Sequence, residues 1–409
     1  MAAWNRRRFC ASGAVGLGAV GLGSSNFAAS GLTESGPVPE VAGVLRKADL
    51  PTPALLVDLD RLLANIEKMA EHCRSSGCAL RPHAKTHKCA EVARRQLAAG
   101  ARGISVATVS EAEAMVAAGI TGVHLTSPIV EPGKIARMVV LARKDPSVML
   151  AVGHPRAGEL LAEAATARGV RLNILVDLDV GDHRTGIAPG RAAVELAQRI
   201  DRCQSLRIRG LQAYSGRSSH VIGFPERKAA SREAMSRAVE TRDLFGAKGL
   251  EAAILSGGST GTYNIDSELP GGIELQAGSY VFMDNGYRAI GSRTGDSDYD
   301  DFMPSLTVLT TVVSASTPDR VTVDAGIKAF ATDSGGKPRT KGREGLSYQF
   351  GGDEFGMLTA DPGASLPELG HRLEFFVTHC DPTVNLYDRI YAVRGDAVEA
   401  VWPIIARRG

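Results

Sequence analysis

The sequence lacks several marks of specialised protein classes. Its six cysteines stand at positions 10, 73, 78, 89, 203 and 380, and no CxxC pair occurs. They are too few and too scattered to build a disulfide scaffold. Neither charge is in excess: 47 Lys and Arg face 45 Asp and Glu, a net +2. That balance leaves no footprint for a nucleic acid. Beyond the N-terminus no segment reaches the roughly 18 apolar residues of a membrane span, so the mature chain is expected to carry no stable span. What is present is ordinary for a soluble globular protein, with 44% hydrophobic and 22% charged residues. A length of 409 residues allows two domains and a large core.

The first thirty residues stand apart. Arg6, Arg7 and Arg8 are followed by Phe9, an uncharged Ala/Gly/Val/Leu stretch over 11–23, and small residues at Ala28, Ala29 and Ser30. The order resembles a twin-arginine export signal. Residues 1–30 are therefore set outside the fold, and the folded chain is expected in the periplasm, or in the cytoplasm if the signal is not used.

From residue 50 onward, short apolar runs alternate with helical patterns. A strand is expected at 54–59, followed by a helix with Leu62, Leu63, Ile66 and Met69 at helical spacing. Strand-like runs recur at 78–82, 103–106, 122–125, 148–152, 171–176, 208–214, 252–255 and 272–275. Helical stretches such as 87–99, 110–118 and 156–168 lie between them. Eight alternations in about 210 residues fit a parallel (β/α)8 TIM barrel. An open doubly wound sheet gives the same alternation, but no GxGxxG follows the first strand. After about residue 290 the pattern turns to β-branched runs at 305–314, 320–325, 374–378, 390–394 and 398–405, split by Gly, Asp and Pro. This reads as a mostly β C-terminal domain that the 50–59 strand joins. Residues 296–301 and 334–345 read as exposed loops. The expected division is a barrel over 58–288 and a β domain over 31–57 and 289–409.

Functional groups of such a barrel gather at the C-terminal ends of its strands. After the first barrel strand comes Arg81-Pro82-His83-Ala84-Lys85-Thr86-His87-Lys88. Cationic neighbours and desolvation would lower the Lys85 pKa and make its amine a nucleophile for a carbonyl; a solvated basic loop explains the same residues. After the seventh strand, Ser256-Gly257-Gly258-Ser259-Thr260-Gly261-Thr262 offers backbone N–H groups and hydroxyls to a phosphate; a tight structural turn is the alternative. Together the lysine and the cup suggest a phosphorylated aldehyde cofactor, pyridoxal phosphate.

With Asp182-His183-Arg184-Thr185-Gly186, Gln212-Ala213-Tyr214 and Gln276-Ala277-Gly278-Ser279-Tyr280, these segments resemble the fold-type III pyridoxal-phosphate enzymes. Within them the chain is most similar to the D-threonine aldolase / D-serine dehydratase-like family, over about residues 50–405. The resemblance implies an alanine racemase-like barrel in which Lys85 holds pyridoxal 5'-phosphate. It also implies Arg184 near the pyridine nitrogen, Tyr214 against the cofactor, and Gly258, Ser259 and Thr260 on the phosphate. A homodimer is expected on the same ground.

Thr378-His379-Cys380-Asp381 follows an apolar run. In an extended chain residues i and i+2 face the same side, so His379 and Asp381 could share a divalent cation; on the spacing alone a plain loop explains them equally, and it is the family resemblance that implies the metal. With water completing the shell, Mn2+ suits this pair first, then Mg2+, Co2+ or Zn2+. His220, beyond the sixth barrel strand, is the candidate base for a substrate hydroxyl, or else a plain loop histidine. His83, His87 and His124 read as supporting or structural, and Asp284 and Tyr287 as further residues of the mouth. The activity the resemblance implies is retro-aldol cleavage of a D-3-hydroxy amino acid, D-threonine giving glycine and acetaldehyde. The alternatives are a D-serine or 3-hydroxyaspartate dehydratase, a racemase, and a non-catalytic pyridoxal-phosphate carrier.

Overall fold

The computed structural model describes residues 45–295 and 298–407. The export-type segment 1–30 lies outside them. Strand β1 (Ala54–Asp58) opens the fold with Leu55, Leu56 and Val57 fully buried. It pairs antiparallel with β10 (Leu306–Thr317) and parallel with β16 (Arg389–Arg394), and so lies within the C-terminal sheet. Asp58 then accepts from the Arg61 N–H and caps the helix Leu59–Ser76. Gly77, at a left-handed φ of 72°, ends that helix.

Eight parallel strands follow: β2 (Ala79–Leu80), β3 (Ile104–Val106), β4 (Val123–Leu125), β5 (Met149–Val152), β6 (Leu172–Leu178), β7 (Leu206–Ala213), β8 (Ile254–Gly257) and β9 (Glu274–Leu275). Their order is β2-β9-β8-β7-β6-β5-β4-β3. The ring closes where His83 bridges Ser105 and the Arg102 and Ser105 N–H groups donate to Leu80 O and Pro82 O. These are the eight barrel strands expected from the alternation. Most read as unbroken buried runs because helices cover them outside and side chains fill the lumen. The helix Arg191–Asp201 shows how: Ala193, Val194, Leu196, Ala197 and Ile200 form its buried stripe. At the foot of the barrel, Arg81 makes a bidentate pair with Glu274, at 2.7 and 3.0 Å, and donates to Gly122 O.

The second sheet runs β13 (Leu346–Phe350), β14 (Gly356–Ala360), β11 (Arg320–Val323), β10, β1, β16, β17 (Ala397–Pro403). β15 (Arg372–Phe376) pairs with β10, and β12 (Arg339–Thr340) with β15. One continuous core joins barrel and sheet, with Phe282, Phe302, Phe330 and Phe375 fully buried. A smaller cluster of Leu50, Leu56, Leu309 and Tyr391 packs separately.

Several local expectations change. The segment 334–345 is not all loop, since it contains β12. In 296–301, Tyr299 is buried and donates to Thr260 O at 2.7 Å. The helix expected over 87–99 begins only at Ala90, because Lys88 takes a left-handed φ of 46°. Among the described residues no helix is long and apolar enough to cross a membrane.

Candidate active site at the barrel mouth

A cavity of about 290 Å³ opens at the C-terminal ends of the strands, with His83, Lys85, Asp177, Arg184, Gln212 and Tyr214 in its wall. Lys85 reaches it from a single 3-10 turn, Ala84–Thr86, directly after β2. The turn is held by His83, whose Nδ1 accepts the Lys85 N–H at 3.3 Å. The proton of that ring therefore sits on Nε2, 3.1 Å from Thr126 Oγ1, while the Thr126 hydroxyl donates to Val106 O.

The histidines read from the sequence as charged or titratable neighbours of Lys85 carry no charge in the fold. Burial, then the Lys85 charge, pushes His83 well below the usual imidazole range. Burial likewise pushes His87 down to about 4, and His124 down to about 4 with help from the Arg81 charge. All three are neutral near pH 7. The lowered lysine pKa is overturned as well. Asp381 lies 2.8 Å from the Lys85 amine and holds it above the ordinary lysine value, against the opposing effect of burial. Burial raises the Asp381 carboxyl, but Lys85 first and His379 next pull it well below the carboxylate range.

Loop geometry brings Arg184 and Tyr214 together. Asp182, on the loop after β6, accepts from Ser215 Oγ at 3.2 Å and Gly216 N at 2.7 Å on the loop after β7. The Arg184 guanidinium stands 5.7 Å from the Tyr214 ring centroid. Beneath them, the Gln212 amide donates to Thr126 O at 2.9 Å and Asp177 Oδ1 at 2.8 Å, and its carbonyl faces His124 Nε2 at 2.8 Å. This polar floor escaped the sequence reading. Its residues sit singly on different strands; Gln212 lay in a quoted segment and His124 had been read as supporting or structural, but nothing in the sequence joined them to Asp177 and Thr126.

Gly258, Ser259 and Thr260 are not in the cavity wall; all three are buried. Gly258 has φ +69°, and a Cβ there would meet Leu275 Cδ2 at 2.7 Å. Ser259 N and Oγ both face Thr262 Oγ1, at 3.2 and 2.9 Å. The Thr260 hydroxyl is buried without a hydrogen-bond partner. An orphaned donor next to a glycine that admits no side chain suits a phosphate, and with the Lys85 amine the set fits a phosphorylated aldehyde.

The HxD segment departs from its expected shape. His379 is extended, but Cys380–Val384 is a short helix, so Asp381 sits in a first helical turn and the strand rule for i and i+2 does not apply. Asp381 turns to Lys85, while His379 Nδ1 pairs with Asp333 at 2.7 Å. That leaves Nε2 as the imidazole nitrogen for a cation, the arrangement that oriented metal-binding histidines adopt. The donor chemistry suits a divalent ion. Yet among the described residues no group of three or more His, Cys, Asp or Glu converges to hold one. His220 is exposed and outside the cavity wall, its ring 4.6 Å from Tyr287 and its Nδ1 3.3 Å from Gly216 O. Asp284 caps the turn Asn285–Arg288 by accepting from Tyr287 N at 2.9 Å, and links it to the helix Cys380–Val384 by accepting from Cys380 N at 3.0 Å.

Residues 57–286 match the family model described as alanine racemase, N-terminal domain, and 305–393 match a putative serine dehydratase domain. The chain is 39% identical over 363 residues to the D-threonine aldolase of Arthrobacter sp, covering 88% of this chain and 93% of that one. It is 36% identical to the 3-hydroxy-D-aspartate aldolase of Paracoccus denitrificans (strain Pd 1222), covering 90% and 95%. The solved structure of D-threonine aldolase from Filomicrobium marinum superposes with a TM-score of 0.85 at 37% identity, covering 89% and 98%.

Proposed function

The chain belongs to the alanine racemase N-terminal domain family, extended by a serine-dehydratase-type domain, and from that premise we propose a pyridoxal-phosphate-dependent aldolase acting on D-3-hydroxy amino acids, with D-threonine giving glycine and acetaldehyde. The observation that carries this reading is the meeting of Lys85, from the barrel, with Asp381, from the C-terminal domain, beside the cavity that Arg184 and Tyr214 also line.

Lys85 is the one lysine in the cavity wall and would hold the cofactor aldehyde. When bound, pyridoxal phosphate supplies an electron sink for the carbanion left at Cα. Arg184 would face the pyridine nitrogen, and its guanidinium keeps its own proton at neutral pH. Gly258, Ser259 and Thr260 would hold the phosphate, and Tyr214 would confine the ring. His379 and Asp381 would hold a divalent cation, Mn2+ before Mg2+, Co2+ or Zn2+, with Asp333 fixing the imidazole. His220 takes the β-hydroxyl proton at Nε2, because its Nδ1 is turned to Gly216 O. Export through residues 1–30 and assembly as a homodimer belong to the same proposal.

The deciding experiment incubates protein loaded with pyridoxal phosphate and Mn2+ with D- and L-3-hydroxy amino acids. Glycine plus an aldehyde, from D substrates only, is expected. Ammonia plus a keto acid would mean a dehydratase, deuterium exchange at Cα without cleavage a racemase, and no turnover of any substrate a carrier.

A further inference from the structure

We propose that Arg227 is a positioning residue for the phosphate site: with Tyr299 it turns the carbonyls of Thr260 and Gly261 away from a bound phosphate, and it supplies a buried positive charge that offsets the anion. The inference rests on the reading of Gly258, Ser259 and Thr260 as that site. Arg227 is fully buried, at 0% exposure. It stands in the first turn of the helix Phe224–Ala247, where a cation opposes the helix dipole. Burial lowers its pKa, opposed by Tyr299 and Asp301, but a guanidinium keeps its proton inside a protein.

The hydrogen bonds of this side chain all end on backbone carbonyls. Its Nε donates to Gly261 O at 2.9 Å. One terminal nitrogen donates to Val221 O at 2.9 Å and Ile290 O at 2.7 Å, and the other to Gly291 O at 3.1 Å. Among the described residues none of its hydrogen bonds goes to a carboxylate. Carbonyl dipoles satisfy the donors without cancelling the charge, and a buried charge without a counter-charge is costly. A dianion bound nearby removes that cost.

The backbone held by Arg227 is that of the proposed phosphate turn and its neighbours. Tyr299, whose ring centroid is 5.7 Å from the guanidinium, donates to Thr260 O at 2.7 Å. Two successive carbonyls, of Thr260 and Gly261, are thus fixed by the Arg227–Tyr299 pair. Left free, those oxygens could turn toward a phosphate and repel it. In a trans peptide the N–H points opposite the C=O, so fixing the carbonyls also aims the Gly261 and Thr262 N–H groups. The Thr262 N–H closes the turn on Ser259 O at 3.2 Å, and the Gly261 N–H is left for the anion together with the unpartnered Thr260 hydroxyl. A Cβ at Gly261 would collide with Ser219 O, so the turn packs against the loop that carries His220. Val221 O, on the same loop, is held by the same guanidinium.

The test compares pyridoxal phosphate with pyridoxal, which has the aldehyde and the ring but no phosphate. Full-length protein stripped of cofactor is titrated with each, and binding is read from the visible absorption. The unsubstituted protein should prefer the phosphorylated form. Arg227→Met should shrink that preference by about 10–100-fold and leave pyridoxal binding nearly unchanged, which a merely structural role would not do. Arg227→Lys, which keeps the charge but not the fork, should recover part of the loss. An undiminished preference in Arg227→Met, or an equal loss for both ligands, would overturn the proposal. No preference in the unsubstituted protein would instead remove the phosphate site itself. A second measurement needs no variant: phosphorus NMR of the bound cofactor should show a dianion down to about pH 5, whereas titration near its ordinary pKa of about 6 would mean that no buried charge offsets it.

Discussion

The foot and the mouth of the barrel treat polar groups in opposite ways. At the foot, Arg81 is saturated by Glu274 and by the Gly122 carbonyl, and both charged side chains are more than nine-tenths buried. At the mouth, Lys85 keeps 42% of its side chain exposed beside Asp381, and Thr260 holds a hydroxyl without a partner. One end is closed around its own charges, and the other is left incomplete for something to be bound. Parallel strands share one direction, so everything that follows a strand, Lys85, Arg184 and Tyr214 alike, emerges at the same end.

The contrast can be tested from both ends. The largest effect belongs to the mouth: Lys85→Ala should cut turnover by more than about 10³-fold and remove the cofactor's visible absorption, while the far-UV spectrum persists. A retained visible band would take Lys85 out of its role. At the foot, Glu274→Ala should cost about 3–5 kcal/mol in urea unfolding, because Arg81 would stay buried without a counter-charge. A cost below about 1 kcal/mol would mean that the foot is wetter than the structure places it.

Acid should act on the buried imidazoles between the two ends. His87 and His124 sit near 4 in the fold against 6.5 when unfolded. Their neutral forms favour the fold above pH 6.5, and that advantage is lost as pH falls toward 4, by about 3 kcal/mol for each. Urea midpoints measured over this range should show the loss, and His124→Gln should make it shallower. The smallest effect returns to the mouth. Thr260→Val should weaken pyridoxal phosphate by about 5-fold, roughly 1 kcal/mol, and leave the unfolding of the cofactor-free protein nearly unchanged, since no hydrogen bond is lost there. Equal affinity in a cofactor titration would remove Thr260 from the phosphate site.

Much of the fold was legible. Eight apolar runs separated by amphipathic stretches became eight barrel strands, because period and polarity are local properties of a chain. The β-rich C-terminal pattern became the second sheet, and residues 50–59 joined it as β1. Strands β12, β13 and β14 were not resolved, since Arg339–Thr340 is too short to show a period and 346–360 is punctuated by glycine. At the site, Lys85 could be found because it follows an apolar run, whereas Arg184 and Tyr214 came from the family resemblance. The His379–Asp381 geometry was misjudged because a short helix replaced the extended chain assumed there. His220 showed no local signal of where its ring would lie.

The sequence alone determined the kinds of element, their order, and which loops emerge at the mouth, since these depend on neighbours a few positions apart. Only the tertiary structure decided the charge on each group. Whether His83 is neutral and whether the Lys85 amine is held by a carboxylate depend on burial and on atoms brought near by the closing of the ring. Coulomb interactions and desolvation act across space, and spacing along the chain does not encode them.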